Sequence, residues 1–338
     1  MTLDVQKKIE TARLSLPDGR LVERVVEVRT HPLTGETGRV LTAPFRTLKI
    51  PDLREQYAHT QAGCPFCPGA VDEKTPRFSP GEFDEPRYSI GQARVFPNLL
   101  AYSGVCALTV LTADHFVGIE ELTETALVDG FRAGRAFLDL CRDKRKDLPY
   151  RLLHWNYMPP AGSSMVHPHQ QLMATASLPN RLRRLADGSR RYTDATWKNA
   201  WDATALSAKT TGERWVGERG PWSWVMDPVP QGRYFELVGI HRTKSDVTEL
   251  SDEDFSPLAA SLVQACHCLA SQGFWSFNAA LLGLPDAKDH FRCQLRLVPR
   301  AFFPPAGCSD VHFDVIETES MTLRAPEEAA QEVRAFFG

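Results

Sequence analysis

The chain has 338 residues and a mass of 37.8 kDa, which corresponds to two domains at about 150 residues each. Its 39 basic and 42 acidic side chains give a formal net charge of −3, which excludes a broadly basic nucleic-acid-binding protein. No apolar run reaches the roughly 18 residues of a membrane helix, and MTLDVQKKIETARL at the N-terminus lacks the apolar region of a secretory signal. We therefore expect no nucleic-acid partner, no membrane partner and a cytoplasmic location.

The first half of the chain contains strand-like runs followed by a long helix. Apolar runs at 93–102 and 105–113 are typical of strands. Small and apolar residues at helical spacing then predict a helix with Thr123 as its N-cap, and a basic run at 142–146 suits its C-terminus. A strand at 150–157 follows, and a loop rich in Pro, Gly and Ser leads from it into HPHQQLMATA.

The second half repeats this order after a polar segment at 180–232, which we interpret as an irregular connector. A strand-like run precedes a second helical stripe, and two further strand-like runs follow it. Leu122 precedes His167 by 45 positions, and Leu250 precedes Gln294 by 44. This spacing predicts an internal duplication of a strand–helix–strand–strand unit, with a period too long for a solenoid.

The segment from Asn156 to Gln171 combines residue types that suit phosphoryl chemistry. Gly162 allows close backbone approach, and Ser164 with nearby N–H groups can hold phosphate oxygens. On a strand, His167 and His169 would point to the same face, together with Gln171. One histidine can then be anchored while the next is free to react, although a bare HxH also occurs by chance.

The eight cysteines include one CxxC pair, Cys64 and Cys67. Such a pair can serve redox chemistry, bind a metal or be accidental, and no second CxxC follows to complete a four-cysteine site. If the pair binds zinc, two more ligands must come from distant positions, and His115 and His167 are candidates. Two thiolates and two imidazoles would make a closed tetrahedral site of the structural type. Long chains without a secretory signal rarely depend on disulfides, so we expect reduced cysteines elsewhere.

These motifs, in this order, resemble those of galactose-1-phosphate uridylyltransferases, a branch of the histidine-triad superfamily. The shared motifs are PLTG followed by Arg46-x-x-Lys49, CxxC at 64–67, VFxN at 95–98, DH at 114–115, Asn-x5-Gly-x-Ser and His-Pro-His-x-Gln. The resemblance implies an α+β fold with two tandem histidine-triad-like domains, each an antiparallel sheet with a long helix. We place the N-terminal domain, with the zinc and the catalytic histidine, at 1–180, the connector at 181–232 and the C-terminal domain at 233–338.

The resemblance also implies catalytic roles. His169 would attack the α-phosphorus of a nucleotide sugar, and a phosphorylated acceptor would then take the nucleotide from the histidine in a ping-pong reaction. Gln171 and Ser164 would stabilise charge on the phosphoryl oxygens, and Asn156 would orient the histidine or the phosphate. The hydrolase branch has a third histidine where this chain has Gln171. An amide cannot shuttle protons as histidine does, so transfer is favoured over hydrolysis.

Binding roles and a zinc site are implied in the same way. The set implied to bind substrate comprises Arg46, Lys49, Phe96, Asn98, Gly162 and Ser163, with Phe96 and Asn98 lining the nucleoside pocket. Arg46 and Lys49 would reach phosphates across the interface of a homodimer. Cys64, Cys67, His115 and His167 would bind one structural Zn²⁺ per chain, which would hold the reactive histidine in place.

The sequence departs from the family at two places. Some relatives bind a second metal through an HxH on the last strand of the C-terminal repeat. Here that strand reads Gln294-Leu295-Arg296, and we predict that this second metal is absent. The stretch 312–330, which contacts hexose in the family, is shorter here, so the sugar is not defined by the resemblance.

The predicted function is transfer of UMP from a nucleotide sugar to a sugar 1-phosphate through a nucleotidyl-histidine. A phosphorolytic adenylyltransferase, such as an ADP-glucose or dinucleoside-polyphosphate phosphorylase, would use the same His169 with phosphate as the acceptor. A non-catalytic nucleotide-binding or zinc-binding protein would not need the intact loop from Asn156 to Gln171. A thiol-redox protein would place its CxxC before a helix, whereas Cys64 and Cys67 lie in a segment rich in Pro and Gly.

Overall fold

The computed structural model describes residues 3–41, 47–302 and 312–337. Its strands are β1 (Gln6–Ser15), β2 (Leu21–Thr30), β3 (Thr37–Leu41), β4 (Tyr88–Ile90), β5 (Ala93–Pro97), β6 (Val105–Val110), β7 (Tyr150–Tyr157), β8 (His169–Thr175), β9 (Trp215–Arg219), β10 (Trp222–Met226), β11 (Leu237–His241), β12 (Phe277–Leu282), β13 (Gln294–Pro299) and β14 (Ser320–Thr322). Its α-helices are α1 (Leu53–Tyr57), α2 (Val71–Lys74), α3 (Glu124–Lys144), α4 (Asn180–Thr196), α5 (Ala200–Thr211), α6 (Asp252–Ser271), α7 (His312–Val315) and α8 (Pro326–Arg334). None of the helices in these ranges is both long enough and apolar enough to span a bilayer.

Ten strands form one antiparallel sheet in the order β4-β5-β6-β8-β7-β12-β13-β11-β10-β9. The central strands β7 and β12 pair antiparallel, with Asn156 opposite Asn278. Moving outward from the centre, each half has the strand after its long helix, then the next strand, then the three strands that precede the helix. The predicted duplication of an antiparallel sheet with a long helix is therefore present, and the two copies meet edge to edge.

The long helices α3 and α6 lie side by side over one face of this sheet. Thr123 caps α3 by accepting a hydrogen bond from the Ala126 amide, as its sequence position predicts. The rings of Phe131 and Phe255 stack between the helices, with centroids 5.9 Å apart. At Gly134 an added Cβ would lie 3.0 Å from both Leu153 and Leu172, so a glycine lets α3 approach the sheet closely. Several polar side chains of β7 and β8 lie on the opposite face of the sheet, away from α3.

The first strands belong to a second, four-stranded sheet in the order β1-β2-β3-β14. Strand β14 comes from the C-terminal end of the chain and pairs parallel with β3. The buried Arg29 of β2 forms a bidentate ion pair with Glu327 of α8 at 2.9 Å. Residues near the N-terminus therefore pack against the C-terminal end of the chain, a long-range arrangement that the division at residue 180 does not describe.

The segment 181–232 is not irregular, contrary to the sequence interpretation. It contains most of α4, all of α5 and the hairpin of β9 and β10. Leu182 and Leu185 of α4 belong to a buried cluster with Leu152 of β7 and Met173 of β8, so this helix covers part of the sheet face opposite α3. The many arginines of α4 lower its mean hydropathy, but Leu182, Leu185 and Tyr192 recur at helical spacing, a signal that the sequence interpretation missed.

Candidate active site and metal centre

The register of the sheet brings the polar residues of the sequence motif to one face. Leu108 of β6 lies opposite Gln171 of β8, and Gln171 lies opposite His154 of β7. Directly opposed residues of antiparallel strands point to the same face, and so do residues two apart on one strand. His169, Gln171, His154 and Asn156 therefore share the face that α3 and α6 leave open.

His169 is held in a defined tautomer. Its Nδ1 lies 2.8 Å from the carbonyl oxygen of His167, which can only accept a hydrogen bond, so Nδ1 carries the proton. The lone pair is then on Nε2. Burial lowers the pKa of His169 below its ordinary value, although the hydrogen bond to the backbone opposes this shift. A buried, neutral imidazole with an oriented free nitrogen is suited to nucleophilic attack on phosphorus.

Asn156 is oriented by a residue from the second half of the chain. The Asn278 side chain donates from Nδ2 to Asn156 Oδ1 at 2.8 Å and to the Ala161 carbonyl at 2.8 Å. This bond occupies the acceptor end of the Asn156 amide and leaves its NH₂ group as a donor. The same Asn278 nitrogen also holds the loop that follows β7.

The loop between β7 and β8 contains the small residues of the motif. Gly162 has φ +86°, a conformation that glycine adopts at little cost. The Ser163 hydroxyl is buried and donates to the Met165 carbonyl at 2.6 Å, so in this conformation it supports the loop itself. Ser164 is exposed, and its hydroxyl has no hydrogen-bond partner among the residues that the structure describes.

The four predicted metal ligands come together in one cluster. One ligand atom from each of Cys64, Cys67, His115 and His167 lies within 4.8 Å of the others. The Cys67 Sγ is 3.5 Å from His115 Nδ1 and 3.8 Å from His167 Nδ1. Zinc bond lengths of about 2.3 Å to sulfur and 2.0–2.1 Å to nitrogen place tetrahedral S and N ligands about 3.6 Å apart. The donor set and its spacing therefore fit a tetrahedral metal ion.

The hydrogen bonds around this cluster prepare both imidazoles as ligands. His167 Nε2 lies 2.9 Å from the Thr112 carbonyl, so it carries the proton and leaves Nδ1 free towards the thiols. His115 Nε2 lies 2.9 Å from the Thr60 hydroxyl, which itself donates to the Tyr57 carbonyl and so accepts from His115. Outer partners of this kind fix the tautomer and orientation of metal-binding histidines. Two independent hydrogen bonds thus free the two nitrogens that face the cysteines.

The predicted nucleoside-binding and phosphate-binding residues are only partly at the site. Phe96 is 1% exposed, and its ring packs against Phe66 with centroids 5.5 Å apart. Asn98 is half-buried and accepts from the Leu100 amide, which shapes the turn after β5. Lys49 is exposed. Arg46 lies in the segment 42–46, outside the described residues, so its predicted role remains a prediction.

Sequence reasoning missed four residues around His169. Phe66, between the two cysteines, sets its ring against His169 with centroids 5.2 Å apart. His154 lies beside Gln171, and burial lowers its pKa to about 4, so the ring is neutral. Asn278 and Tyr102 contact Asn156 and Gln171 respectively. The alternation of β7 could have identified His154, whereas the other contacts join distant parts of the chain and left no local signal.

Comparison with known proteins agrees with this architecture. No protein-family model matches the chain. An uncharacterised protein of Archaeoglobus fulgidus is 28% identical over 342 aligned residues, covering 99% of each chain. A GalT-like protein from Arabidopsis thaliana has a TM-score of 0.69 at 18% identity, covering 91% of this chain and 98% of its own.

Two enzymes are similarly close in structure. An ADP-glucose phosphorylase from Arabidopsis thaliana, solved with bound ADP-glucose, has a TM-score of 0.69 at 17% identity, covering 91% of this chain and 98% of its own. A uridylyltransferase has a TM-score of 0.66 at 19% identity, covering 91% of this chain and 97% of its own. At this level of identity the likeness concerns the fold. The chain therefore has the α+β fold shared by the GalT-like protein, the ADP-glucose phosphorylase and the uridylyltransferase, as its sequence motifs predict.

Proposed function

We propose that the protein is a nucleotidyltransferase that moves UMP from a nucleotide sugar to a sugar 1-phosphate through a covalent intermediate on His169. The observation that carries this proposal is the tautomer of His169, which has its proton on Nδ1 and its lone pair on Nε2. Asn156 and Gln171 share the face on which His169 lies, and each offers an amide to phosphoryl oxygens. The ordered motifs that resemble uridylyltransferases support the choice of UMP.

In the first half-reaction, His169 Nε2 forms a bond to the α-phosphorus of the donor. The bond from this phosphorus to the bridging oxygen breaks, and the sugar 1-phosphate leaves with that oxygen. The imidazole gains positive charge, which the His167 carbonyl stabilises through the Nδ1 proton. In the second half-reaction an acceptor phosphate oxygen attacks the same phosphorus, and the bond to Nε2 breaks. In the first half-reaction the sugar 1-phosphate leaves as a phosphate anion, and in the second the imidazole leaves as a neutral ring with its Nδ1 proton retained, so neither step needs much acid catalysis.

The four-residue cluster would hold zinc in a structural role. Cys64, Cys67, His115 and His167 would hold the ion, which would supply a structural cross-link with no open position for a substrate, since all four ligands would be side chains. His167 would be a ligand, and its own carbonyl oxygen fixes the nucleophile. The cluster would therefore fix the position of His169 through one residue, because His167 would bind the metal with its side chain and hold the His169 ring with its backbone carbonyl.

A phosphorolytic adenylyltransferase is the second candidate. It is supported by the presence, among proteins of the same fold, of a phosphorylase solved with bound ADP-glucose. The attack by His169 would be the same, and the candidates differ in the base of the donor and in the acceptor that discharges the enzyme.

The test is intact-protein mass spectrometry after mixing the purified chain separately with UDP-glucose, ADP-glucose and GDP-mannose. We expect a UMP-sized adduct that disappears when a sugar 1-phosphate is added. An AMP-sized adduct discharged by inorganic phosphate would select the second candidate. His169→Asn should form no adduct while keeping its fold by circular dichroism, and an adduct on that variant would rule out His169 as the nucleophile.

A further inference from the structure

Tyr102 lies in the turn between β5 and β6, which is fixed at both ends. The Asn98 amide donates to the Cys106 carbonyl at 2.9 Å, and the Ser103 hydroxyl donates to the Ala174 carbonyl at 2.6 Å. The Tyr102 amide itself lies 3.4 Å from Cys106 Sγ. The backbone on both sides of Tyr102 is therefore tied to the site-bearing strands β6 and β8.

The Tyr102 hydroxyl reaches from this turn to the candidate catalytic amide. It donates to Gln171 Oε1 at 2.8 Å. A glutamine amide has one acceptor end and one donor end, and a rotation of its last bond exchanges them. Because Tyr102 occupies the acceptor end, the NH₂ end is left for another partner. Among the residues that the structure describes, Gln171 Nε2 donates to none.

This contact does little for the stability of the fold. Tyr102 is 59% exposed, and a hydrogen bond between partly exposed side chains contributes about 1 kcal/mol or less to folding. Desolvation raises the pKa of Tyr102 above its ordinary value, so the hydroxyl keeps its proton at neutral pH and remains a donor. The effect of the bond is directional, since it selects one of the two orientations of the amide.

We propose that Tyr102 is a positioning residue that holds the Gln171 NH₂ group as a donor to the phosphoryl oxygens of the substrate. This inference rests on the proposed function, in which Gln171 stabilises charge that develops during attack by His169. Without Tyr102 the amide would also adopt the orientation that presents its oxygen to the phosphate, which repels the developing negative charge. The ground-state affinity for the donor would change little, because the developing charge belongs to the transition state.

The first test compares Tyr102→Phe with the wild type in single-turnover adduct formation with the nucleotide sugar that labels the wild-type enzyme. We expect the rate constant to fall about three- to ten-fold. The Kd of the same nucleotide sugar, measured in the His169→Asn background, should stay within two-fold. Tyr150→Phe is the matched control, because Tyr150 is a half-buried tyrosine on the adjacent strand β7 and lies outside the site. An unchanged rate constant for Tyr102→Phe would overturn the proposal.

A double-mutant cycle tests whether Tyr102 acts through Gln171. In the Gln171→Ala background, adding Tyr102→Phe should slow adduct formation no further. If Tyr102→Phe slows adduct formation by the same factor with and without Gln171, then Tyr102 has another role and the proposal is contradicted.

A readout without turnover separates this inference from the proposed function. In protein labelled with ¹⁵N-glutamine, the Gln171 side-chain NH₂ signals are assigned by their loss in Gln171→Ala. Tyr102→Phe should shift these signals, and Tyr150→Phe should leave them in place. Unmoved signals would exclude the positioning role, whether or not the wild type forms an adduct. A wild type that forms no adduct with any of the three nucleotide sugars would instead refute the proposed function.

Discussion

Single hydrogen bonds decide the chemistry of the residues at this site. The His167 carbonyl selects the tautomer of His169, and the Thr112 carbonyl and Thr60 hydroxyl select those of His167 and His115, the two histidines of the candidate metal cluster. Two of these partners are backbone carbonyls and the third is a threonine hydroxyl. Every residue has a carbonyl and threonine is common, so a sequence motif does not identify them. The sequence could therefore predict which side chains lie together at the candidate site, but not the hydrogen bonds that fix the tautomer of each histidine.

Asn278 provides a test of orientation from the opposite half of the chain. Asn278→Ala removes the donor to Asn156 Oδ1, so the Asn156 amide loses its fixed direction. We expect kcat to fall about three- to ten-fold with KM nearly unchanged, as for other single hydrogen bonds of this kind. The measurement is steady-state kinetics on the substrate pair that the adduct experiment identifies.

Ser276→Ala is the matched control for this variant. Ser276 donates to the Tyr157 carbonyl at 2.8 Å across the same pair of strands and lies outside the site. A loss of kcat equal to that of Asn278→Ala would mean that both changes act through general loosening of the central strands.

At the scale of elements, the sequence predicted what local patterns encode. The two long helices, the strands around them and the order of the site motifs follow from spacing and capping residues, and the structure confirms the fold class. The helices of 181–232 and the pairing of β14 with β3 were missed. Arginines lower the mean hydropathy of α4, α5 has only a weak apolar stripe, and a three-residue strand that pairs across the chain has no local pattern.

The CxxC segment supplies two of the four residues of the candidate metal cluster. Cys67→Ser should reduce bound zinc from about one ion per chain to well below half, and should lower Tm because the loop loses a cross-link to His115 and His167. Zinc is measured by elemental analysis and Tm by differential scanning calorimetry. Cys141→Ala, a change of a buried cysteine outside the cluster, should retain the zinc. Full zinc occupancy in Cys67→Ser would contradict the assignment of this ligand.

At the scale of the whole molecule, the C-terminal half contains a buried ion network on β13, the counterpart of β8. Arg296 is 4% exposed, and its Nη1 lies 2.9 Å from Asp227 and 2.6 Å from Glu236. Burial raises the pKa of Glu236, but Arg181 and Arg296 outweigh this effect and hold the pKa below its ordinary value. Carboxylates of this kind stabilise the fold above their unfolded pKa of about 4, and that contribution is lost as the pH falls through the folded value.

Arg296→Leu should lower the free energy of unfolding by about 3–5 kcal/mol at pH 7, because it leaves two buried carboxylates with too little positive charge. The difference from wild type should shrink towards pH 4, where the variant's carboxylates become protonated. Urea unfolding at both pH values measures this. Arg13→Leu is the control, because it removes an exposed partner of Glu23, and it should lower the free energy of unfolding by less than about 1 kcal/mol. A similar decrease in the free energy of unfolding of both variants would argue against a special role for the network.

The predicted homodimer also belongs to this scale. Strand β1 is exposed along its whole length, and its hairpin with β2 exposes Ile9, Leu21 and Val25. Among the described residues, pairing of β2 with β3 ends at Val26, so the distal part of the hairpin is a two-stranded ribbon, which is marginal in water without a surface to pack against. We expect a dimer mass by light scattering at micromolar concentration, and we expect the double variant Ile9→Lys with Val25→Lys to be monomeric. A monomeric wild type would refute the dimer and, with it, a role for Lys49 across an interface.

The pairing of β7 with β12 makes the chain resemble a symmetric dimer whose two subunits have been joined into one polypeptide. A covalent tether keeps such a partner at an effective concentration of about millimolar or more, however weak the contact. Substitutions in the second copy could then weaken its contact with the first without causing the two to dissociate. Strand β8 begins with His169, whereas its counterpart β13 carries Arg296 in a stabilising network. In the proposed function, one copy carries the chemistry and the other supplies Asn278, which donates to Asn156 across the central strands.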